Sequence, residues 1–385
     1  MSTIAAILFW LSAGLLVYTH LGYPIALWAL TRLGRFHDWG PYRNQKGGND
    51  PAGELPTVSL IVPAYDEEEV IAAKVANALA LDFPRERLQI IVASDGSTDA
   101  TAERARAAGA GLVLELPPGG KVAALNAAVE RASGEILAFS DANSVWARDA
   151  LRRLVAPFAD PGVGYVCGQV RFLDPDDDNL EGAYWRYEMA VREAESDLAG
   201  VTAGNGAIYA VRRDAYMPLP PSGSHDLSFP FLLAKHRLRS LYEPGARAEE
   251  KMVPSIEGEF ARKRRMMVGL WDIVVGEGMI SPRGYPPMYA FEVASHRLLR
   301  YLSPFLHAVA LIANAFLLGD GWLYVLTFAL QLALIAAALL GRFLPLAPFR
   351  IARYYALTTA SIAAGLWDRF RHGAGGRWEK AEGTR

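Results

Sequence analysis

An α/β domain built on a mostly parallel sheet and joined to transmembrane helices is the architecture this sequence predicts. Two observations carry that expectation. Between residues 57 and 158 short β-branched runs alternate with runs of helix-spaced apolar residues. Elsewhere three long stretches contain no Asp, Glu, Lys or Arg. Composition agrees, because 52% hydrophobic and 21% charged residues are too apolar for disorder and too charged for a wholly membrane-embedded chain. With 39 Lys plus Arg against 41 Asp plus Glu the net charge is −2, which argues against nucleic acid as a bulk partner. Cys167 is the only cysteine, so a disulfide framework or a Cys-rich metal site is excluded and a reducing, cytoplasmic compartment is expected.

The elements follow in order. Ile4 to Leu30 is long enough to cross a bilayer, and residues 1–33 are read as a transmembrane helix. A Gly-, Asn- and Pro-rich linker over 34–56 joins it to the domain at 57–255. There TVSLIVPAY reads as a strand ended by Pro63, and EEEVIAAKVANALAL as the helix after it. LQIIVAS (88–94) leads to a helix over about 99–108, and GLVLEL (111–116) leads through PPGG to KVAALNAAVERA. EILAFS (135–140) precedes a helix over 147–158. Residues 256–300 are expected to form interfacial helices. Tyr301 to Leu318 and Trp322 to Leu340, divided by Gly319-Asp320-Gly321, read as a transmembrane hairpin. Residues 341–385 would hold a basic loop, a re-entrant, interfacial or fourth membrane helix over 354–367, and a tail. Arg32, Arg35, Arg43 and Lys46 after the first span, Arg297 and Arg300 before the second, and Arg342, Arg350 and Arg353 after the third all place the domain on the cytoplasmic side of a multi-pass cell-membrane protein.

Ligands of such sheets bind beyond the carboxyl ends of the strands. Asp66 follows the first strand, Asp95-Gly96-Ser97 the second, Gly119-Gly120-Lys121 the third and Asp141-Ala142-Asn143 the fourth. Either Asp95 or Asp141 alone would read as a helix cap. Repeated at successive strand ends, carboxylates converge on one crevice and repel one another unless a cation or a hydrogen-bonding ligand lies between them. A divalent metal bridging a diphosphate meets that need, with Lys121 adding a point charge at a helix start. Neither GxxxxGK[ST] nor a GxGxxG after the first strand is present, which leaves a nucleotide held by base, ribose and metal-bridged diphosphate.

At these residues the chain resembles the family 2 glycosyltransferases, inverting enzymes with a nucleotide-sugar-binding, Rossmann-like domain of the glycosyltransferase A type, and in particular their membrane-anchored branch. VSLIVPAYDEEEVI is similar to the opening strand and nucleotide-binding turn, with Asp66 and Glu67 where Asn-Glu is common. ASDGSTDAT resembles the second acidic motif, and the resemblance implies that Asp95 and Gly96 meet the uracil or ribose. GGKVAALNAAV resembles the Lys-x-x-Ala-Leu-Asn segment, and FSDANS takes the place of the Asp-x-Asp metal motif, implying that Asp141 and Asn143 approach Mg or Mn and the diphosphate. TAGNGAIYAVRRDAY, with Asn205 and Gly206, looks like the acceptor-side segment. His225-Asp226 stands where two acids are usual, so Asp226 matches the general base that takes the acceptor hydroxyl's proton.

Three departures carry consequences. Asn143 in place of the motif's second acid leaves less charge for the metal. His225 in place of an acid removes one negative charge next to Asp226, and a neutral or protonated His there would lower the basicity of Asp226. Processive synthases carry Gln-x-x-Arg-Trp, whereas EFARKRRMMVG puts Arg262 and Met266 at the Gln and Trp positions and keeps Arg265. The resemblance therefore implies transfer of one sugar from a nucleotide-sugar, most simply a UDP-sugar, to a lipid-linked or membrane-proximal glycan acceptor. A processive polysaccharide synthase, a nucleotidyltransferase and a non-catalytic membrane scaffold are the alternatives. Trp185 and Tyr187 are further candidates for stacking on an acceptor sugar, or for packing.

Overall fold

The computed structural model describes residues 2–33, 55–173, 180–251, 256–344 and 346–373. The linker expected at 34–56 lies almost entirely outside them. The chain starts as a rod made of α1 (Ser2–Val17), one π-helical turn at Tyr18–Gly22 and α2 (Tyr23–Leu33). Next come β1 (Val58–Ala64), α3 (Ile71–Leu79), β2 (Leu88–Asp95), α4 (Thr101–Ala107), β3 (Leu112–Leu116), α5 (Lys121–Glu130) and β4 (Ile136–Phe139). The domain continues with β5 (Val145–Trp146), α6 (Ala150–Val155), β6 (Val163–Leu173), α7 (Leu180–Leu198), β7 (Tyr209–Arg212), α8 (His225–Lys235) and β8 (Arg239–Lys251).

The strands form an eight-stranded sheet in the order β3-β2-β1-β4-β7-β6-β8-β5. β1 pairs in parallel with β2 and β4, β2 with β3 and β6 with β8, while β7 runs antiparallel to β4 and β6, and β5 antiparallel to β8. Strand alternation sends Leu60, Ile90 and Ala138 into one core with Leu151, Leu154 and Phe158, and Ile61, Ile91 and Leu137 into another with Leu125, Ala128 and Phe229. Helices cover both faces, which is why β1 is buried along its whole length and reads as a continuous apolar run. Order reverses between β1 and β4, so the crevice expected for a ligand opens where Asp66, Asp95 and Asp141 leave their strands.

After the sheet come α9 (Ile256–Trp271), α10 (Pro287–Glu292), a π-helical stretch at Val293–Leu298, α11 (Leu299–Ala315), α12 (Trp322–Leu340) and α13 (Ala347–His372). Among the described residues three helical segments are long and apolar enough to cross a membrane: Ser2–Leu33, Pro287–Ala315 and Trp322–Leu340. The second starts upstream of the expected Tyr301. The arginines that marked its boundary are taken up by protein partners: Arg297 Nε donates to Thr202 Oγ1 at 2.8 Å, and Arg300 forks onto Glu188 at 2.9 and 2.5 Å. α13 is one unbroken helix of 26 residues, longer than the apolar stretch 354–367, and it lies along α9. Arg264 forks onto Asp368 at 2.5 and 2.7 Å, Lys263 donates to the Tyr354 hydroxyl at 2.9 Å, and Gly365 leaves no room for a side chain over Met267.

The rod and α7 meet through buried polar groups. The Tyr23 hydroxyl donates to Glu195 Oε1 at 2.7 Å, His296 Nδ1 lies 2.6 Å from the same oxygen, and Thr202 Oγ1 donates to Oε2 at 3.0 Å. Tyr187 packs here as well, its hydroxyl donating to the His20 carbonyl at 3.2 Å, while the Trp185 side chain is outside the described residues.

Candidate active site

Each strand end delivers its polar residue through local backbone chemistry. Asp66 leaves β1 with φ of +49°, a conformation Asp tolerates better than most residues. Its N–H donates to Ser97 Oγ at 3.0 Å and its Oδ1 accepts from the Thr98 N–H at 2.7 Å, which ties the end of β1 to the turn after β2. Glu67, 2% exposed, donates its N–H to Thr101 Oγ1 at 2.7 Å. Asp95, 3% exposed, accepts from the Gly119 and Gly120 N–H groups at 2.8 Å each, one on each oxygen. Its carboxylate thus fixes the glycine turn before α5 instead of standing free for a base or ribose. Gly96 has φ of +66°, and a Cβ there would lie 2.5 Å from Pro118, so the β2 turn and the Gly119-Gly120 turn fit only with glycine at 96.

That fixed turn aims Lys121. Its Nζ lies 2.5 Å from Asp141 Oδ1, forming a partly exposed ion pair at the mouth of the crevice. Burial pulls the Lys121 ammonium down, but Asp141, with Asp226 and Glu250 behind it, outweighs that and leaves it above its usual range. α3 holds the turn that follows Asp141 from below: Lys74 Nζ donates to the Ser144 carbonyl at 2.7 Å, and Asn77 exchanges two bonds of 2.9 Å with the Trp146 backbone. Burial drops the Lys74 ammonium to about 7, with Asp141 and Glu250 opposing. Neither Lys74 nor Asn77 carried a sequence signal, because both look like ordinary polar positions of an amphipathic helix.

The floor of the crevice is the 204–206 loop. A Cβ on Gly206 would sit 3.6 Å from Lys121 Nζ and 3.7 Å from Asp141 Oδ2, so its backbone approaches the ion pair closely. Asn205 spends its amide internally, donating to the Gly168 carbonyl at 2.6 Å and accepting from the Ile208 N–H at 3.0 Å. Its side chain braces the loop and is not presented to an acceptor. Arg192 Nη2 donates to the Gly204 carbonyl at 3.0 Å.

α8 brings Asp226 to this floor. Asp226 lies in the helix's first turn, where an acid suits the positive end, and Ser224 Oγ donates to its Oδ1. Pro230, inside the same helix, has no N–H for the carbonyl four residues back. That carbonyl belongs to Asp226 and accepts instead from the Gly204 N–H at 2.7 Å. His225 turns the other way, 4% exposed, with Nδ1 2.8 Å from the Tyr209 hydroxyl and Nε2 3.4 Å from that of Tyr216, its ring edge-on to Phe139 and Phe229. Burial, reinforced by Lys121, pushes it down to about 3, so it is neutral at pH 7. The ring is neutral and bonded to Tyr209 and Tyr216, so the weaker basicity expected of Asp226 comes from the absent acid at 225 and not from a ring charge.

Arg262 and Arg265 lie on α9; Arg265 and Met266 are exposed, and Arg262 feels the charge of Glu250 on β8. The crevice therefore gathers Asp66, Asp95, Lys121, Asp141, Gly206 and Asp226, with oxygen ligands suited to a hard divalent cation at Asp141 and Asn143. Among the described residues no group of three or more His, Cys, Asp or Glu is close enough to hold a metal without further ligands.

Residues 59–217 match the model of Glycosyl transferase family 2. Glycosyltransferase AglE of Haloferax volcanii is 29% identical over 180 residues, covering 45% of this chain and 58% of that protein. Beta-monoglucosyldiacylglycerol synthase of Nostoc sp. is 29% identical over 254 residues, covering 59% of this chain and 53% of that protein. The chain spans about half the length of these curated relatives. The mannosyltransferase PcManGT of Pyrobaculum calidifontis, solved in complex with GDP-Man and Mn2+, is 26% identical and superposes with a TM-score of 0.72, covering 94% of this chain and 99% of that one.

Proposed function

With residues 59–217 forming a glycosyltransferase family 2 domain, we propose that the protein transfers one sugar from a nucleoside-diphosphate sugar to a hydroxyl of a lipid-linked or membrane-proximal glycan, with inversion at the anomeric carbon. The observation that carries it is the tie of the Asp226 backbone carbonyl to the 204–206 loop, whose Gly206 borders the Lys121–Asp141 pair, together with the charge of Asp226 acting on Lys121.

Asp66 and the Asp95-braced glycine turn line the nucleotide side. Lys121 meets the diphosphate, where negative charge grows as the glycosidic bond breaks. A divalent cation at Asp141 and Asn143, Mg or Mn, supplies further neutralisation of that leaving group. Asp226, with Ser224 occupying one of its oxygens, offers the other to the acceptor hydroxyl and takes its proton as the new bond forms. Attack from the Asp226 side, opposite the diphosphate, inverts the anomeric carbon. Exposed Met266, at the position where processive enzymes resemble one another in carrying Trp, favours single addition. The basic residues flanking the spans favour a cytoplasmic domain.

The base is the open choice between UDP, suggested by the resemblance, and GDP, which the Pyrobaculum neighbour binds. Purified full-length protein supplied with UDP- and GDP-sugars, Mn2+ and a membrane lipid extract is expected to release nucleoside diphosphate and give a glycoside of inverted configuration by NMR. Release of pyrophosphate from a nucleoside triphosphate would instead identify a nucleotidyltransferase, and nucleotide binding without turnover on any lipid fraction would identify a scaffold.

A further inference from the structure

The 141–143 turn offers a metal one carboxylate and one amide, a thin charge for a cation that must also hold a diphosphate. β8 runs directly past this turn. Its Ala248 pairs with Trp146 and its Glu249 with Val145, and the Ala147 N–H donates to the Arg247 carbonyl at 3.0 Å. Strand alternation puts Ala246, Ala248 and Glu250 on one face and Arg247 and Glu249 on the other. Ala246 and Ala248 are fully buried whereas Arg247 and Glu249 are exposed, so the face that Glu250 shares is the inward one. An acid thus follows two alanines on the inward face, where it is half-buried. Its Oε1 is shut off from solvent and accepts no hydrogen bond among the described residues. A carboxylate oxygen in that condition needs a donor or a cation. The charges that act on it are those of Asp141, Lys121 and Lys74 from the donor-side elements and Arg262 from α9. Burial, with Asp141 adding to it, pushes the Glu250 carboxyl up to about 7, and the three cations only partly oppose that.

We propose that Glu250 is an additional oxygen ligand of the donor site, joining Asp141 and Asn143 around the divalent cation of a bound nucleoside-diphosphate sugar and supplying the charge that the 141–143 turn lacks. The inference rests on the donor-site reading above. It reassigns a residue that looks, in the sequence, like one of two surface acids in ARAEEK.

The test is a Mn2+ titration of the full-length protein in detergent, followed by electron paramagnetic resonance, with UDP and with GDP present. Glu250→Gln keeps the shape and removes the charge; Glu249→Gln, on the outward face, is its control. Mn2+ affinity in the presence of nucleotide is expected to fall at least tenfold in Glu250→Gln, with a changed spectrum for the bound ion, and to stay at the wild-type level in Glu249→Gln. The melting temperature without Mn2+ is expected to hold or rise in Glu250→Gln, because the repulsion between the Glu250 and Asp141 carboxylates has been removed. If Glu250→Gln melts early, Glu250→Asp, which keeps the charge and shortens the reach, takes its place and is expected to weaken Mn2+ at least severalfold. Wild-type Mn2+ affinity and spectrum in a folded Glu250 variant would overturn the inference while leaving the donor site intact. Failure of the wild-type protein to bind Mn2+ with either nucleotide would instead remove the donor-site reading itself.

Discussion

His225 and Asp226 are neighbours in the chain with opposite fates. One ring is sealed among Phe139, Tyr209, Tyr216 and Phe229, and the adjacent carboxylate stays at the crevice. His225 titrates near 6.5 unfolded and at about 3 folded, so the folded state binds fewer protons between those values. The stability that depends on its neutral form is fully present above pH 6.5 and is lost as pH falls toward 3. His225→Phe is expected to show a shallower loss of melting temperature between pH 6.5 and 4.5 than the wild type, at a cost of ~1 kcal/mol near pH 7 for the two hydroxyls left without it. An equally steep loss in the variant would place the acid sensitivity elsewhere. Asp226→Asn keeps the size and removes the base, and kcat is expected to fall ~10²–10⁴-fold. Donor affinity should hold, since the role proposed for Asp226 is on the acceptor hydroxyl.

α8 and the 204–206 loop act together because Pro230 frees the Asp226 carbonyl. Pro230→Ala would give the helix an N–H that competes with Gly204 for that oxygen. The expected result is a near-wild-type melting temperature with faster hydrogen exchange at residues 204–206 and lower kcat; unchanged exchange would mean the loop is held by Arg192 and Asn205 alone. Gly96→Ala drives a Cβ into Pro118 at a backbone conformation that resists it, so the donor-side turn should loosen and the KM for nucleotide-sugar rise, with kcat less affected. The β1-to-β4 half of the domain and the turns at its strand ends were legible from sequence, because buried parallel strands are apolar runs and their polar termini stand out. β7 and β8 were not: Tyr209–Arg212 is too short to show alternation, and Arg239–Lys251 is interrupted by Pro244 and Gly245 at a register shift. Asn205 and Lys74 were misread or missed for a related reason. A polar side chain that braces a loop from within looks the same in sequence as one that meets a ligand.

The candidate membrane-spanning helices and the sheet domain are joined through Glu195, whose carboxylate takes Tyr23 from the rod, His296 from the second candidate span and Thr202 from the stretch leading into the 204–206 loop. The rod is therefore tied into the domain's folded interior next to Thr202, two residues before Gly204. Tyr23→Phe leaves a buried carboxylate short of one donor and is expected to lower stability by ~1–3 kcal/mol in detergent, read as an earlier thermal transition of the whole chain. Melting of the spans alone, with the domain unchanged, would show the two parts to be uncoupled.

The convergence of a donor-holding and a proton-accepting group on one crevice is tested most directly by measuring nucleotide-sugar binding and turnover side by side, on the same preparations of wild type, Asp141→Asn and Asp226→Asn with Mn2+. Asp226→Asn should bind donor like the wild type and transfer almost nothing, while Asp141→Asn should lose donor affinity. Wild-type turnover in Asp226→Asn, or undiminished donor binding in Asp141→Asn, would contradict it.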